Sequence, residues 1–357
     1  MITALNLGRR YIDIKEEYVS YLDDIMHREI PCNGYYASKV ERYLEKTSGR
    51  KHALLTNTGS IALLLSLFAH RVGHGDEVIV TNYSSAASLG YVLVAGATPI
   101  FCDVDDTGNM IVDNLEYLLT DNTAAIVGTG LYGDMHNHTV IQEFATKYKL
   151  LYINDAAQSM FSKWNGIDSL ACGDIVAMSH AENKPLPALG QGGAILTDDT
   201  DIYNKLIHLR KNGKPYRKAP YTRFGVNGII DDDKAASILC SIHKFSEWQK
   251  RRIDICNYYK SEFNRMGVES RRNHPEWNTH KYAILFPNKW EAQQEIKLLG
   301  VETEAQYANC LGPDMPGSID MVNRSLTLPS NPYMTDAEVE IVVKVVDKVW
   351  KKLNTYI

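Results

Sequence analysis

An acid, a hydroxyl and a lysine stand at positions that a fold could bring to one place. Asp155 closes the run LLYIND, Ser179 closes IVAMS, and Lys184 follows in HAENKPLPALGQG. Both runs have the apolar, β-branched make-up of strands, so their last residues project from the C-terminal edge of a sheet, where open α/β folds bind ligands. A carboxylate, a hydroxyl and a primary amine converging there suit a cofactor with a ring nitrogen, a phosphate and an aldehyde, as pyridoxal 5'-phosphate (PLP) has. The carboxylate keeps the pyridine nitrogen protonated, so that the ring can act as an electron sink. The lysine amine bonds to the aldehyde and, once displaced by an amino donor, moves a proton between substrate carbon and cofactor carbon. Amides for the phosphate come from TNTGSIALLL, where a strand ends near Thr56, Gly59 permits close backbone approach, and Ser60 begins a helix whose N-terminus attracts an anion. Each piece alone has a plain structural meaning: a strand-end acid, a solvated lysine, a helix cap. Their combination in chain order is what points to the cofactor.

The elements that must position these residues follow from the pattern around them. Between about residues 50 and 200, short β-branched runs (HALLT, EVIVT, TPIFCDV, AAIVGTG, LLYIND, IVAMS, GAILTD) alternate with helix-length segments. That alternation predicts a mainly parallel sheet covered by helices. The connection between IVAMS and GAILTD differs, because two prolines and two glycines forbid a crossover helix. Those two strands are therefore expected to be antiparallel neighbours, with Lys184 in the loop that joins them. Past residue 200 comes a basic stretch, Arg210, Lys211, Lys214, Arg217, Lys218 and Arg223, which reads either as a clamp for a nucleotide pyrophosphate or as a solvated loop. A long helix over about Asp233 to Met266, the strands HKYAILF and SLTLP, the helix WEAQQEIKLLG and a closing helix predict a small α+β domain. Thr335 and Glu338 have the spacing of a capping box at the start of that last helix. The expected division is residues 1–240, a large cofactor-binding domain that includes the N-terminal segment, and residues 241–357, the small domain.

Bulk properties exclude several classes. A hydrophobic fraction of 45% and a charged fraction of 23% are those of an ordinary globular protein, and 357 residues suffice for two cores. A formal charge of -5 gives no reason to expect a nucleic-acid partner. No apolar run approaches the roughly 20 residues needed to cross a bilayer, and the charged N-terminus does not read as a signal peptide. Six scattered cysteines without a CxxC pair read as reduced thiols, so the expected location is the cytoplasm, with no membrane partner. There is no GxGxxG turn for a nicotinamide dinucleotide after an early strand.

From about residue 30 to the C-terminus, order and spacing resemble the DegT/StrS family of PLP-dependent sugar aminotransferases. GYYASKVERYLEKTSGRKHALLTNTGSIAL resembles that family's entry helix, strand and phosphate turn, and GDEVIVTNYSSAAS with GATPIFCDVD resembles its next two strands. INDAAQS resembles the Glu-Asp-Ala-Ala-Gln segment, which implies Asp155 at the pyridine nitrogen and Gln158 near the ring hydroxyl. SHAENKPLPALGQGGAILTDD resembles the Ser-Phe-x-x-x-Lys segment ending in Gly-Gly, which implies a Schiff base on Lys184 and a phosphate contact from Ser179. FGVNGIIDDDKAA resembles the Gly-Phe-Asn-x-Arg-Met stretch, which implies that Asn227 reaches the PLP phosphate of a partner subunit. The resemblance thus implies an α/β fold of the aspartate-aminotransferase type (PLP fold type I), a homodimer with shared active sites, and transfer of an amino group from an amino acid, L-glutamate above all, to a nucleotide-linked keto sugar for amino-sugar and polysaccharide biosynthesis.

The chain also departs from that pattern. Ser85 stands where an aromatic ring stacks on the cofactor, and Tyr83 would share its direction only if the segment were extended. Ile229-Ile230 replace an Arg-Met pair, Gly130 replaces a histidine, and Gln306 replaces the histidine before Tyr307. His180, Glu182 and Asn183 are unlike the usual neighbours of the lysine. Two other readings stay open: a PLP enzyme acting on a non-nucleotide keto sugar or cyclitol, and a PLP-binding regulatory protein without turnover. Lys184 argues against the family's dehydratase branch, which has histidine there.

Overall fold

The computed structural model describes residues 1–214 and 224–354. In chain order these form α1 (Leu7–Arg28), α2 (Tyr35–Ser48), β1 (His52–Thr56), α3 (Gly59–Ala69), β2 (Glu77–Thr81), α4 (Ala86–Ala95), β3 (Thr98–Cys102), β4 (Thr123–Thr129), α5 (His138–Tyr148) and β5 (Leu151–Asp155). There follow the short β6 (Lys163–Trp164) and β7 (Ile167–Asp168), then β8 (Ile175–Ser179), β9 (Gly193–Thr197), α6 (Thr200–Leu209) and α7 (Asp232–Met266). The chain continues through β10 (Tyr282–Leu285), α8 (Lys289–Leu298), α9 (Pro316–Arg324), β11 (Ser325–Leu328) and α10 (Asp336–Asn354).

The main sheet has seven strands in the order β1-β9-β8-β5-β4-β2-β3. Strand β9 runs antiparallel to both of its neighbours, while the other pairings are parallel. The expectation of one reversed strand joined to IVAMS by a loop therefore holds. The runs are apolar throughout because both faces are covered. Along β8, Val176 and Met178 pack in one core with Ile14, Val40 and Ala236 of α1, α2 and α7, while Ile175 and Ala177 pack in another with Leu63, Leu67 and Val92 of α3 and α4. By the same alternation, Asp155 and Ser179 leave the sheet on the face that carries the N-terminus of α3.

A second core lies beyond the sheet, between the end of α7, the β10–β11 pair, α8 and α10. Helix α7 enters both cores: Ile238 and Leu239 lie in the first, Ile255 and Phe263 in the second. The capping box forms as the spacing predicts, with Thr335 N donating to Glu338 Oε2 at 2.7 Å and Glu338 N donating to Thr335 Oγ1 at 3.2 Å.

Two helices add to the sequence reading. Helix α1 is capped by Asn6, which accepts from Arg9 N at 3.2 Å, and it buries Ile14, Tyr18 and Ile25 along one side. Helix α9 starts on Pro316, whose missing N–H costs nothing at a first helical position. The N-terminal residues run against the second core: Ile2 N donates to Gly300 O at 2.8 Å, and Asn331 Nδ2 donates to Thr3 O at 3.0 Å.

Candidate active site

Strand register builds the cleft floor. Gly193 opens β9 opposite Thr56 on one side and Ser179 on the other, and Asp155 lies opposite Ala177 one strand further. A Cβ added to Gly59 would stand 2.8 Å from Ser179 Cβ and 3.1 Å from Met178 O, so only glycine lets the start of α3 seat against the end of β8. The cap of α3 is Thr58, whose hydroxyl accepts from Ile61 N at 3.1 Å; Ser60 sits exposed in the first turn. The first amides of that turn have no partner within the helix and are available to an anion. Ser179 lies beside them, its Oγ accepting from Ala181 N at 3.3 Å.

Asp155 is 5% exposed, and one carboxylate oxygen accepts from Ala157 N at 3.1 Å. Burial pushes its pKa up, against the opposing pull of that hydrogen bond and of Lys184. The carboxylate is thus short of a cationic partner at bonding distance. The Lys184 loop folds back on itself, with Lys184 N donating to Ala181 O at 3.0 Å, His180 N to Gly192 O at 2.8 Å and Ala188 N to His180 O at 2.8 Å. No carboxylate holds the Lys184 amine in an ion pair among the described residues. Burial first, then the nearby ammonium of Lys281, pushes its pKa down to about 8. His180 at the loop's root is a core residue, its Nδ1 donating to Leu186 O at 2.8 Å, and burial pushes it down to about 4.

The far wall is aromatic. Gln158 Oε1 accepts from Tyr132 N at 2.9 Å and its Nε2 donates to the Tyr307 hydroxyl at 3.1 Å, so this amide ties the loop after β4 to the segment before α9. Tyr132 takes a left-handed φ of 60°, an uncommon backbone state that Gln158 holds at its N–H and Ser325 at its hydroxyl. Tyr83 does not take the place of a stacking ring. Residues 82–84 bend, so the extended geometry that such a role requires is absent, and the ring packs with Leu285 and Met321. Its hydroxyl lies 2.5 Å from that of Tyr132, and its ring meets Tyr307 edge-on at 4.9 Å. Ser85 is the cap of α4, accepting from Ala87 N at 3.3 Å. The departure at Gly130 also has a physical reason, since a Cβ there would stand 2.6 Å from Ser159 Oγ.

Asn227 is exposed; its carbonyl accepts from Asn57 Nδ2 at 3.1 Å, beside the turn that opens α3. Of the basic stretch, Arg210 is not a clamp. It is 3% exposed, bonded to Leu55 O and paired with Glu41 at 3.6 Å, so it is spent inside the fold. Arg217, Lys218 and Arg223 lie outside the described residues.

Several site neighbours were not read from the sequence. Tyr91 of α4 brings a buried phenol, without a hydrogen-bond partner among the described residues, within electrostatic reach of Asp155. His280, Arg10 and Arg252 gather around Lys184 from the segment before β10, from α1 and from α7. Only the α1 and α7 periodicities could have hinted at the two arginines as buried positions.

These residues fit PLP. A buried acid short of a cation suits a protonated ring nitrogen, an unpaired amine with a lowered pKa suits an aldehyde, and a glycine-floored helix start suits a phosphate. The comparisons with known proteins agree with the geometry. The family model of the DegT/DnrJ/EryC1/StrS aminotransferases matches residues 12–347. A "Pleiotropic regulatory protein" of Geobacillus stearothermophilus is 29% identical, over 96% of this chain and 97% of that protein. A UDP-2-acetamido-2-deoxy-3-oxo-D-glucuronate aminotransferase of Pseudomonas aeruginosa is 27% identical, over 96% and 98%. The crystal structure of a DegT DnrJ EryC1 StrS aminotransferase from Brucella abortus superposes with a TM-score of 0.92 at 24% identity, over 98% of this chain and all of that one. That likeness speaks for the fold.

Proposed function

The chain belongs to the DegT/DnrJ/EryC1/StrS aminotransferase family, and from that premise we propose that it is a PLP-dependent sugar aminotransferase. It carries an amino group from an amino acid, L-glutamate in this reading, to a keto sugar linked to a nucleoside diphosphate. The observation that carries the proposal is Lys184: an unpaired amine with its pKa lowered to about 8, in electrostatic contact with the buried Asp155. The Pseudomonas relative, named for a UDP-linked 3-oxo sugar, supports a nucleotide-linked acceptor.

Bound here, PLP supplies an aldehyde for covalent capture and a ring that takes up an electron pair. Lys184 makes the covalent link, and its lowered pKa leaves a useful share of neutral amine near pH 7 to 8 for bonding and for moving the proton at the substrate carbon. Asp155 keeps a proton on the ring nitrogen. Ser179 and the amides at Gly59 and Ser60 hold the phosphate, and Asn227 reaches the phosphate of a second subunit in a homodimer. Gln158, bonded to the Tyr307 hydroxyl, would stand by the ring hydroxyl of the bound cofactor. The division between cofactor-binding and small domains falls inside α7, near residue 241.

The Geobacillus relative is named for regulation, which keeps a binding role without turnover as the second reading. One experiment separates the two. One portion of the purified protein is reduced with borohydride and digested, and a second, unreduced portion is followed by its visible absorbance on adding L-glutamate and then a nucleotide keto sugar. Turnover predicts a band that bleaches with the donor and returns with the sugar, and trapped cofactor on the Lys184 peptide that disappears in Lys184→Ala. A band that no amino donor alters supports the regulatory reading, and trapping that persists in Lys184→Ala overturns the assignment of the lysine.

A further inference from the structure

Beside Lys184 lies a small, partly open cavity of about 50 Å³, bounded by the N-terminal residues Ala4 and Leu5, by α1, by α7 and by the ends of β10 and β11. A water molecule's share of liquid volume is about 30 Å³, so the space holds the equivalent of about two waters, the scale of a small polar group and not of a whole amino acid. Its walls are short of negative charge. Arg10 and Arg252 are 7% and 6% exposed, and neither forms an ion pair among the described residues. Their hydrogen-bond partners are backbone carbonyls on either side of the lysine: Arg10 Nη1 donates to Glu182 O at 2.6 Å, and Arg252 Nη2 to Pro185 O at 3.2 Å. Those bonds leave most of the five N–H donors of each guanidinium unused. Among the described residues, Arg252 Nε has no hydrogen-bond partner, nor has either ring nitrogen of His280.

The other charges around the cavity do not supply the missing anion. Glu304 is committed to Lys281, which it bonds at 2.5 Å, and the Glu182 carboxylate accepts from Gln191 Nε2 at 3.1 Å. Burial, and then the proximity of Arg10, pushes Arg252 down to about 10, so the two guanidiniums press on each other. Two enclosed cations with no counter-ion are costly unless something negative enters. Water could satisfy the N–H groups but not the charge.

We propose that this cavity receives the α-carboxylate of the amino donor, with Arg10 and Arg252 as its charge partners and His280 as a hydrogen-bond partner. The inference rests on the transaminase reading and adds a donor subsite to it. Lys184 must reach the proton on the donor's α-carbon, so the carboxylate one bond away has to lie beside the lysine, where the cavity is. A side-chain carboxylate, two carbons further on, falls outside it.

The test uses the holoenzyme and two unreactive acids, glutarate and butyrate, titrated by calorimetry. Both should bind, and Arg10→Gln and Arg252→Met should each weaken both by about tenfold or more, which is about 1.4 kcal/mol. Loss for both acids is expected because one carboxylate enters the cavity. Arg10 lies on α1 at the edge of the fold, so its variant keeps the question open if Arg252→Met fails to fold. Unchanged affinity in Arg10→Gln overturns the proposal, and so does inorganic phosphate that binds as tightly with the same dependence on Arg10, which marks a general anion site. If L-glutamate fails to alter the spectrum of the wild-type holoenzyme, the transaminase reading fails. If L-glutamate reacts and Arg10→Gln reacts with the same KM, only the subsite fails.

Discussion

Replacing Lys184 with methionine should make the cofactor-free protein more stable while destroying its chemistry. The amine is held at a pKa of about 8 against an ordinary 10.5, chiefly by burial and next by Lys281. At about 1.4 kcal/mol per unit, that depression corresponds to about 3 kcal/mol of penalty on the ammonium. The side chain keeps a partial opening to solvent, and screening brings the expected figure to about 1–2 kcal/mol. The sign follows from proton linkage. A lysine whose folded pKa lies below its unfolded one carries the full penalty below pH 8. It loses that penalty as pH rises from about 8 to 10.5, where the unfolded chain still holds the proton. Methionine keeps the aliphatic stem without the charge. Urea unfolding of both apoproteins, at equal chain concentration, should show the variant ahead at pH 7 and most of the gap closed by pH 10. A variant less stable than wild type at pH 7, or a gap unchanged at pH 10, refutes the picture of an unpaired, poorly solvated ammonium.

Two further substitutions probe the scaffold. Gly59→Ala puts a methyl 2.8 Å from Ser179 Cβ, an overpacking of about 1–3 kcal/mol that should appear as about tenfold weaker binding of PLP in equilibrium dialysis. Pyridoxal, which lacks the phosphate, should lose much less, and equal losses count against a phosphate seat at this turn. Arg50→Met removes a guanidinium that binds Leu170 O, Cys172 O, Gly173 O and Asp198 at the opposite edge of the sheet. Asp198 stays half solvated, so the cost comes from the carbonyls left unbonded, about 2–3 kcal/mol in urea unfolding, with the holoenzyme spectrum of the folded fraction unchanged; an altered spectrum would show that this edge is coupled to the site.

The parts of the fold legible in the sequence were those where one physical cause acts locally. The strands read as continuous apolar runs because both sheet faces are covered, and the reversal at β9 read from Pro185 and Pro187, which cannot sit in a crossover helix. Asp155 and Ser179 could be placed because a strand end fixes a direction as well as a position. Helix α1 carried its periodicity in Ile14, Tyr18 and Ile25 and was passed over. Tyr83 was read on a condition, and the bend at residues 82–84 removes it; that bend comes from tertiary contacts, Asn82 accepting from Gly312 N at 2.7 Å and donating to Pro313 O at 2.8 Å. Helical periodicity could mark Arg10 and Arg252 only as buried positions, and nothing in the sequence marked their convergence with His280, because only folding brings positions so far apart in the chain around one lysine. Arg210 shows the converse: a cation in a basic run looked solvent-facing and is buried against Glu41.

The pairing of Ser179 and Gly193 at neighbouring ends of β8 and β9 makes residues 180–192 a measured length of chain pinned at both ends. One residue of extended backbone spans about 3.5 Å. A single deletion or insertion on either side of Lys184 would leave the strands paired and yet carry the amine past its target by more than a bond length. Surface loops usually absorb such changes in length. This one acts as a ruler, and a library of length variants should show survival of folding and loss of chemistry parting company within a single codon.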